Sequence, residues 1–289
     1  MPNLPDDPPL DIPPIRLRSG TVMPGIGFGT WRIGESRSQA EAELAALRHA
    51  LARGFRHFDT AEMYGEGGSE TLLGQAIAGW PREALFITSK FYPHHARADQ
   101  MERACERSLR RLGIECLDLY LLHWPGSTPL EETLRGAERL RAAGKIRAFG
   151  VSNFDIEDIA AAVSDDADRL VDVNQVLYNP GRRGIEFDLL PFLGKAGIAC
   201  VAYSPIEPGR LGANRGFAEV ARGAGLSPAR LALAWHMTRS GACPIPKSAT
   251  PAHVDALAAA AVMRLPDEVM AAVDEACPPP RRREPLEIL

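Results

Sequence analysis

Short apolar strand patterns alternate with amphipathic helical ones along nearly the whole chain, and that alternation restricts the fold more than any other feature. The patterns predict strands at 25–31, 55–59, 85–90, 117–123, 146–151, 170–176, 198–203 and 243–246. Helices are predicted from Ser38 to Gly54 and at 70–79, 99–112, 128–143, 155–163, 187–196, 217–223, 228–239, 251–260 and 266–276. Ser38 with Glu41, Asp99 with Glu102, and Thr128-Pro129 with Glu131 read as helix starts; Gly54 and Gly144 read as stops. The stretch after Tyr203, with Gly209, Gly212 and Gly216, reads as a long loop.

The strand at 117–123 has too few polar positions to face water on either side, as in a parallel sheet covered on both faces. Eight successive βα units then imply a (β/α)8 TIM barrel, with an N-terminal β-hairpin at 15–22 and an extra C-terminal helix. A doubly wound open sheet is the competitor. It would place a glycine fingerprint between the first strand and helix. Here Gly25-Ile26-Gly27-Phe28-Gly29 runs into Thr30-Trp31 and a polar loop instead. No linker interrupts 15–276, so residues 1–289 read as one domain, with a Pro-rich leader (1–14) and a tail (277–289).

The net charge of −4, with both signs interspersed, carries no nucleic-acid footprint, and Arg281-Arg282-Arg283 reads as a solvated cluster. No apolar run has the roughly 18 residues a membrane helix needs. The leader lacks a signal-peptide pattern, and five cysteines without C-x-x-C spacing read as buried free thiols of a cytoplasmic protein. The adjacent pair His94-His95 does not put two imidazoles on one face, so no metal is expected.

In a parallel barrel the C-terminal strand ends share one face. Asp59, Lys90 and His123 end the second, third and fourth strands, and Tyr64 lies just past the second. Together they suit carbonyl reduction. Hydride arriving at a carbonyl carbon leaves charge on oxygen, which needs a proton. A phenol is a poor donor near pH 7. A buried lysine beside it favours the phenolate and acidifies it, an aspartate compensates the ammonium, and a neutral histidine can hydrogen-bond the carbonyl oxygen.

Gly27-Phe28-Gly29-Thr30-Trp31, Phe58-Asp59-Thr60-Ala61 with Tyr64-Gly65, Ser89-Lys90, Leu121-Leu122-His123-Trp124, Gly150-Val151-Ser152-Asn153-Phe154, Asn174-Gln175-Val176, Tyr203-Ser204-Pro205 and Ile245-Pro246-Lys247-Ser248 follow one another in order. In these blocks the chain resembles the aldo-keto reductases over essentially its whole length. The resemblance implies a catalytic tetrad of Asp59, Tyr64, Lys90 and His123, with Tyr64 as general acid. It also implies a nicotinamide dinucleotide bound without a Rossmann domain. Ser152, Asn153 and Gln175 would hold the carboxamide, and Tyr203 would stack on the nicotinamide ring. Ser204 to Leu211 would fold over the pyrophosphate; Arg210 in that loop reads equally as a phosphate contact or as a solvated charge. Lys247 and Ser248 would meet a ribose 2′-phosphate, favouring NADP(H), with NAD(H) as the alternative. The family often has an arginine six positions after that lysine; His253 stands there instead and, when protonated at lower pH, can help meet the phosphate.

Trp31, Tyr92, His94, Trp124 and the Pro278-Pro279-Pro280 tail are expected to rim the substrate pocket. Further segments, including Leu177-Tyr178 and residues 184–191, resemble bacterial members that reduce methylglyoxal and other small reactive aldehydes. The expected function is NADPH-dependent reduction of small carbonyl compounds by a monomer. Two alternatives remain: a slow, cofactor-bound regulatory barrel resembling potassium-channel β subunits, and an isomerase or aldolase on the same barrel.

Overall fold

The computed structural model describes residues 9–160, 171–239 and 241–289. Its main sheet has eight parallel strands: β3 (Phe28–Gly29), β4 (His57–Asp59), β5 (Phe86–Phe91), β6 (Leu117–Leu122), β7 (Ile146–Ser152), β8 (Val173–Leu177), β9 (Ala199–Tyr203) and β10 (Ala242–Pro244), neighbouring in that order. The ends of the sheet join. The amides of Gly27 and Gly29 donate to the carbonyls of Pro244 and Pro246 at 3.0 and 2.9 Å, closing the (β/α)8 barrel.

The predicted hairpin forms from β1 (Ile15–Arg16) and β2 (Val22–Met23), paired antiparallel. Leu17 and Met23 pack against Phe86, Leu119, Leu121, Val173 and Val201, plugging the end where the strands begin. The outer faces of the strands meet the helices in a second cluster that includes Phe58, Tyr120, Phe149 and Trp235.

The helices are α1 (Ala40–Ala52), α2 (Gly68–Ile77), α3 (Ala98–Leu112), α4 (Leu130–Ala142), α5 (Ile156–Ile159), α6 (Leu189–Ala196), α7 (Pro208–Ala213), α8 (Arg215–Gly223), α9 (Pro228–Thr238), α10 (Pro251–Ala261) and α11 (Asp267–Ala276). Several predicted starts are corrected. Gln39, Arg97 and Pro129 stand at the N-caps of α1, α3 and α4, and none of these helices has a side-chain cap. The Ser38 hydroxyl meets that of Ser36 instead. Asp155 does form a capping box with Asp158. The predicted continuation of that helix to 163 lies outside the described residues.

The glycine-bearing stretch after Tyr203 is helix, not loop. Pro208 presets the first turn of α7, Leu211 is buried, and the carboxylate of Glu207 is held by Arg182 and Asn179. Arg283 is not simply solvated either. It pairs with Asp155, Glu157 and Asp188, which fastens the tail beside α5 and α6.

Candidate active site

Side chains alternate across a strand, so the parity of the buried pattern decides which residues reach the barrel interior. Phe86, Leu119, Leu121, Ala148, Val173 and Val201 belong to the interior cluster. Stepping by twos toward the C-terminal ends brings Lys90, His123, Ser152, Gln175 and Tyr203 inward as well. Asp59 follows from inward His57, whose ring nitrogen meets Thr88 at 2.9 Å. The register fixes their relative heights: Lys90 pairs with Leu121, Ser152 with Gln175, and Leu177 with Tyr203.

Tyr64 comes from the turn after β4. Gly65 has φ 55°, and a Cβ there would lie 2.6 Å from the carbonyl oxygen of Gly34. A Cβ on Gly68 would lie 2.4 Å from the same oxygen, so the turn presses directly against the loop before α1. That contact folds the tyrosine back over the barrel mouth.

The ammonium of Lys90 is fully buried. It donates to Asp59 Oδ1 at 2.5 Å, to the carbonyl of Thr60 at 3.0 Å and to the phenol oxygen of Tyr64 at 3.2 Å. The other oxygen of Asp59 accepts from Gln175 Nε2 at 2.8 Å. The rings of Tyr64 and His123 meet edge to face, with centroids 5.8 Å apart. The four residues predicted as a tetrad are thus brought together.

Their electrostatics differ from the expectation at one point. Burial raises the Tyr64 phenol above its usual value and outweighs the Lys90 ammonium, which pulls it down. The phenol is therefore held protonated rather than acidified. Burial pulls Lys90 down, but the Asp59 carboxylate and the oxygens that accept its hydrogen bonds more than offset it and leave it raised. His123 is held well below its usual value by burial and then by the Lys90 charge, which keeps the imidazole neutral.

Ser152, Asn153 and Tyr203 continue from this cluster. Asn153 Nδ2 donates to the His123 carbonyl at 3.1 Å and to Ser152 Oγ at 3.2 Å. Tyr203 donates from its hydroxyl to Asn153 Oδ1 at 2.9 Å. Asn153 and Ser204 both carry left-handed backbones, with φ 62° and 47°. Strain of that kind gathers where a binding surface must be held in one shape.

The remaining predicted residues are more dispersed. Lys247 and Ser248 follow β10 on the same end of the barrel. Burial lowers the Lys247 ammonium, and the Ser248 hydroxyl is turned to Thr250, 3.2 Å from its carbonyl. His253 is exposed in the first turn of α10, and Arg210 is exposed on α7. Tyr92 stacks on His94 at 4.9 Å and meets Trp124 edge to face at 5.9 Å; Trp124 in turn lies 4.9 Å from His123. Trp31 is half exposed, with the Arg32 guanidinium 4.5 Å from its ring. The tail reaches the mouth through its far end, where the amide of Leu289 donates to Tyr203 OH at 3.3 Å.

Residues 25–277 match the model of the Aldo/keto reductase family. The chain belongs to the aldo/keto reductase family. It is an oxidoreductase of carbonyl groups. It is 43% identical over 280 residues to methylglyoxal reductase YeaE of Escherichia coli, covering 95% of this chain and 98% of that one. It is 35% identical over 234 residues to a glyoxal reductase of Bacillus subtilis, covering 81% and 82%. An aldo/keto reductase from Klebsiella pneumoniae, solved with NADP and acetate, superposes with a TM-score of 0.89 at 42% identity, covering 96% of this chain and all of that one.

Two further residues near the site are not marked out by any sequence motif. Arg32, with a left-handed φ of 62°, adds positive charge that helps depress Lys247. Glu62, between Asp59 and Tyr64, is nearly buried. A carboxylate between two apolar residues, Ala61 and Met63, just past a strand end is the available signal for it.

Proposed function

We propose that this enzyme reduces small reactive aldehydes, methylglyoxal among them, with NADPH, and that Tyr64 delivers the proton. The observation that carries the reading is the Lys90 ammonium, bridging Asp59 at 2.5 Å and Tyr64 at 3.2 Å in a buried setting. Lys90 holds the phenol by its oxygen, and Asp59, itself held by Gln175, keeps the ammonium charged. When oxygen charge develops on a substrate carbonyl, the Tyr64 proton is the nearest mobile one, and the neutral His123 orients that oxygen.

The donor set at the barrel mouth fits a nicotinamide nucleotide. Amide and hydroxyl groups of Ser152, Asn153 and Gln175 sit side by side at adjoining strand ends and suit a carboxamide. The Tyr203 ring offers a flat face. Lys247, Ser248 and Arg32 supply cations and a hydroxyl for phosphate, with Arg210 at the outer edge. The bound nucleotide supplies the hydride. His253 stands in place of an arginine, so the phosphate preference rests on Lys247 and Ser248. The names of the YeaE and glyoxal reductase relatives support a 2-oxoaldehyde substrate. Five unpaired cysteines agree with work in a reducing compartment.

The test is kcat/KM for methylglyoxal, glyoxal, an aromatic aldehyde, a ketone and a sugar, each with NADPH and NADH. The proposal expects the 2-oxoaldehydes to lead and NADPH to win. Methylglyoxal ranking far below ketones or sugars would remove the substrate assignment. Equal or better rates with NADH would remove the cofactor preference.

A further inference from the structure

The buried carboxylate of Glu62 has no part in the chemistry above, yet it lies between the tetrad and the aromatic rim. Its backbone amide donates to the carbonyl of Lys90 at 3.0 Å. Its side chain is 6% exposed and turns the other way, into the turn after β5. Oε1 accepts from the amide of Tyr92 at 2.9 Å and from His95 Nδ1 at 2.8 Å; Oε2 lies 3.4 Å from Arg107 Nη2 on α3. An ionised carboxylate only accepts, so the fitting His95 tautomer carries its proton on Nδ1.

Glu62 therefore clamps one short turn, residues 92–95, to the segment that carries Asp59 and Tyr64. The turn presents Tyr92, stacked on His94 and set edge-on against Trp124, which adjoins His123. We infer that Glu62 is a positioning residue for substrate selection: it fixes the distance between the Tyr92–Trp124 wall and the tetrad, and so decides how well planar carbonyl substrates are held. This rests on the proposed reading of the site as a carbonyl reductase. Without the carboxylate, the Tyr92 amide and His95 Nδ1 lose their acceptor in a part-buried place, and the turn shifts to find another. Glutamine keeps an acceptor oxygen for both donors and gives up only the charge facing Arg107.

The experiment is steady-state kinetics with saturating NADPH on the full chain, comparing benzaldehyde with methylglyoxal for wild type, Glu62→Ala and Glu62→Gln. Glu62→Ala is expected to raise KM for benzaldehyde by about tenfold, the size of one charge-assisted hydrogen bond's positioning effect. It should leave kcat for both substrates and KM for methylglyoxal within about threefold, a split that uniform loss of structure would not produce. Glu62→Gln should restore most of the benzaldehyde KM. Equal losses of kcat on both substrates, or no change in either KM, would overturn the positioning role while leaving the reductase reading intact. A wild type that reduces no carbonyl compound with either nucleotide would overturn both. Should Glu62→Ala fail to fold by circular dichroism, His95→Ala carries the same comparison, and an unchanged benzaldehyde KM in it would overturn the role.

Discussion

Replacing Asp59 by asparagine isolates the charge that makes a buried ammonium tolerable. In the native protein Lys90 Nζ has a carboxylate at 2.5 Å and two neutral oxygens, from Thr60 at 3.0 Å and Tyr64 at 3.2 Å. The asparagine amide must either point its NH2 at an ammonium or turn it toward the Gln175 NH2 that now donates to Oδ2 at 2.8 Å. One donor clash remains in either orientation. Breaking a buried ion pair from one side costs about 3–5 kcal/mol. For a chain of 289 residues that corresponds to a fall in Tm of about 5–8 °C at pH 7. The pH dependence changes sign as well. Wild-type Lys90 is raised, so its contribution is complete below the unfolded value of about 10.5 and is lost as pH climbs through the folded value. In Asp59→Asn burial dominates and the folded value drops, so the variant regains stability as pH rises toward about 10.5. The double variant Asp59→Asn/Lys90→Met should recover most of the lost Tm and remain inactive, which separates stability from catalysis. The assay is calorimetry at pH 7 and 9.5. A single variant melting within 1 °C of wild type at pH 7, or a double variant less stable than either single one, would refute the reasoning.

Lys247→Ala should weaken NADPH by about tenfold or more while NADH changes little, because only NADPH carries the 2′-phosphate; equal losses by fluorescence titration would contradict that assignment. His57 and His236 are held down to about 3 by burial, and His123 is held well below its usual value, so all three are neutral in the folded state. Each then costs stability as pH falls below about 6.5, together about 4 kcal/mol per pH unit. Urea midpoints should drop steeply from pH 6 to 4.5, and a flat profile would contradict the neutral assignment. For the same reason kcat/KM for reduction should show no histidine inflection near pH 6.5 that disappears in His123→Asn.

The barrel and the side-chain cluster at its C-terminal strand ends were largely legible because two periodicities carry them. Strand parity sets Lys90, His123, Ser152, Gln175 and Tyr203 on one inner face, and the strand ends set them on one level. Helix starts were less legible. Ser38, Asp99 and Thr128 have capping chemistry, but the first turns of α1, α3 and α4 close without them. The segment after Tyr203 misled because glycine frequency says nothing of Glu207 reaching Arg182, a contact 25 residues away in sequence. For the Tyr64 phenol, sequence names the neighbours but not the depth of burial, which here outweighs the ammonium. The role of Glu62 is not legible in sequence because its partners, Tyr92, His95 and Arg107, lie 30 to 45 residues downstream.

Single-turnover reduction by Tyr64→Phe tests the central claim most directly. The substitution removes the hydroxyl held by Lys90 and keeps the ring that faces His123. With NADPH prebound, absorbance at 340 nm should show oxidation of the nucleotide slowed by at least about a hundredfold, with nucleotide affinity unchanged. Hydride transfer at close to the wild-type rate would mean that the proton comes from elsewhere.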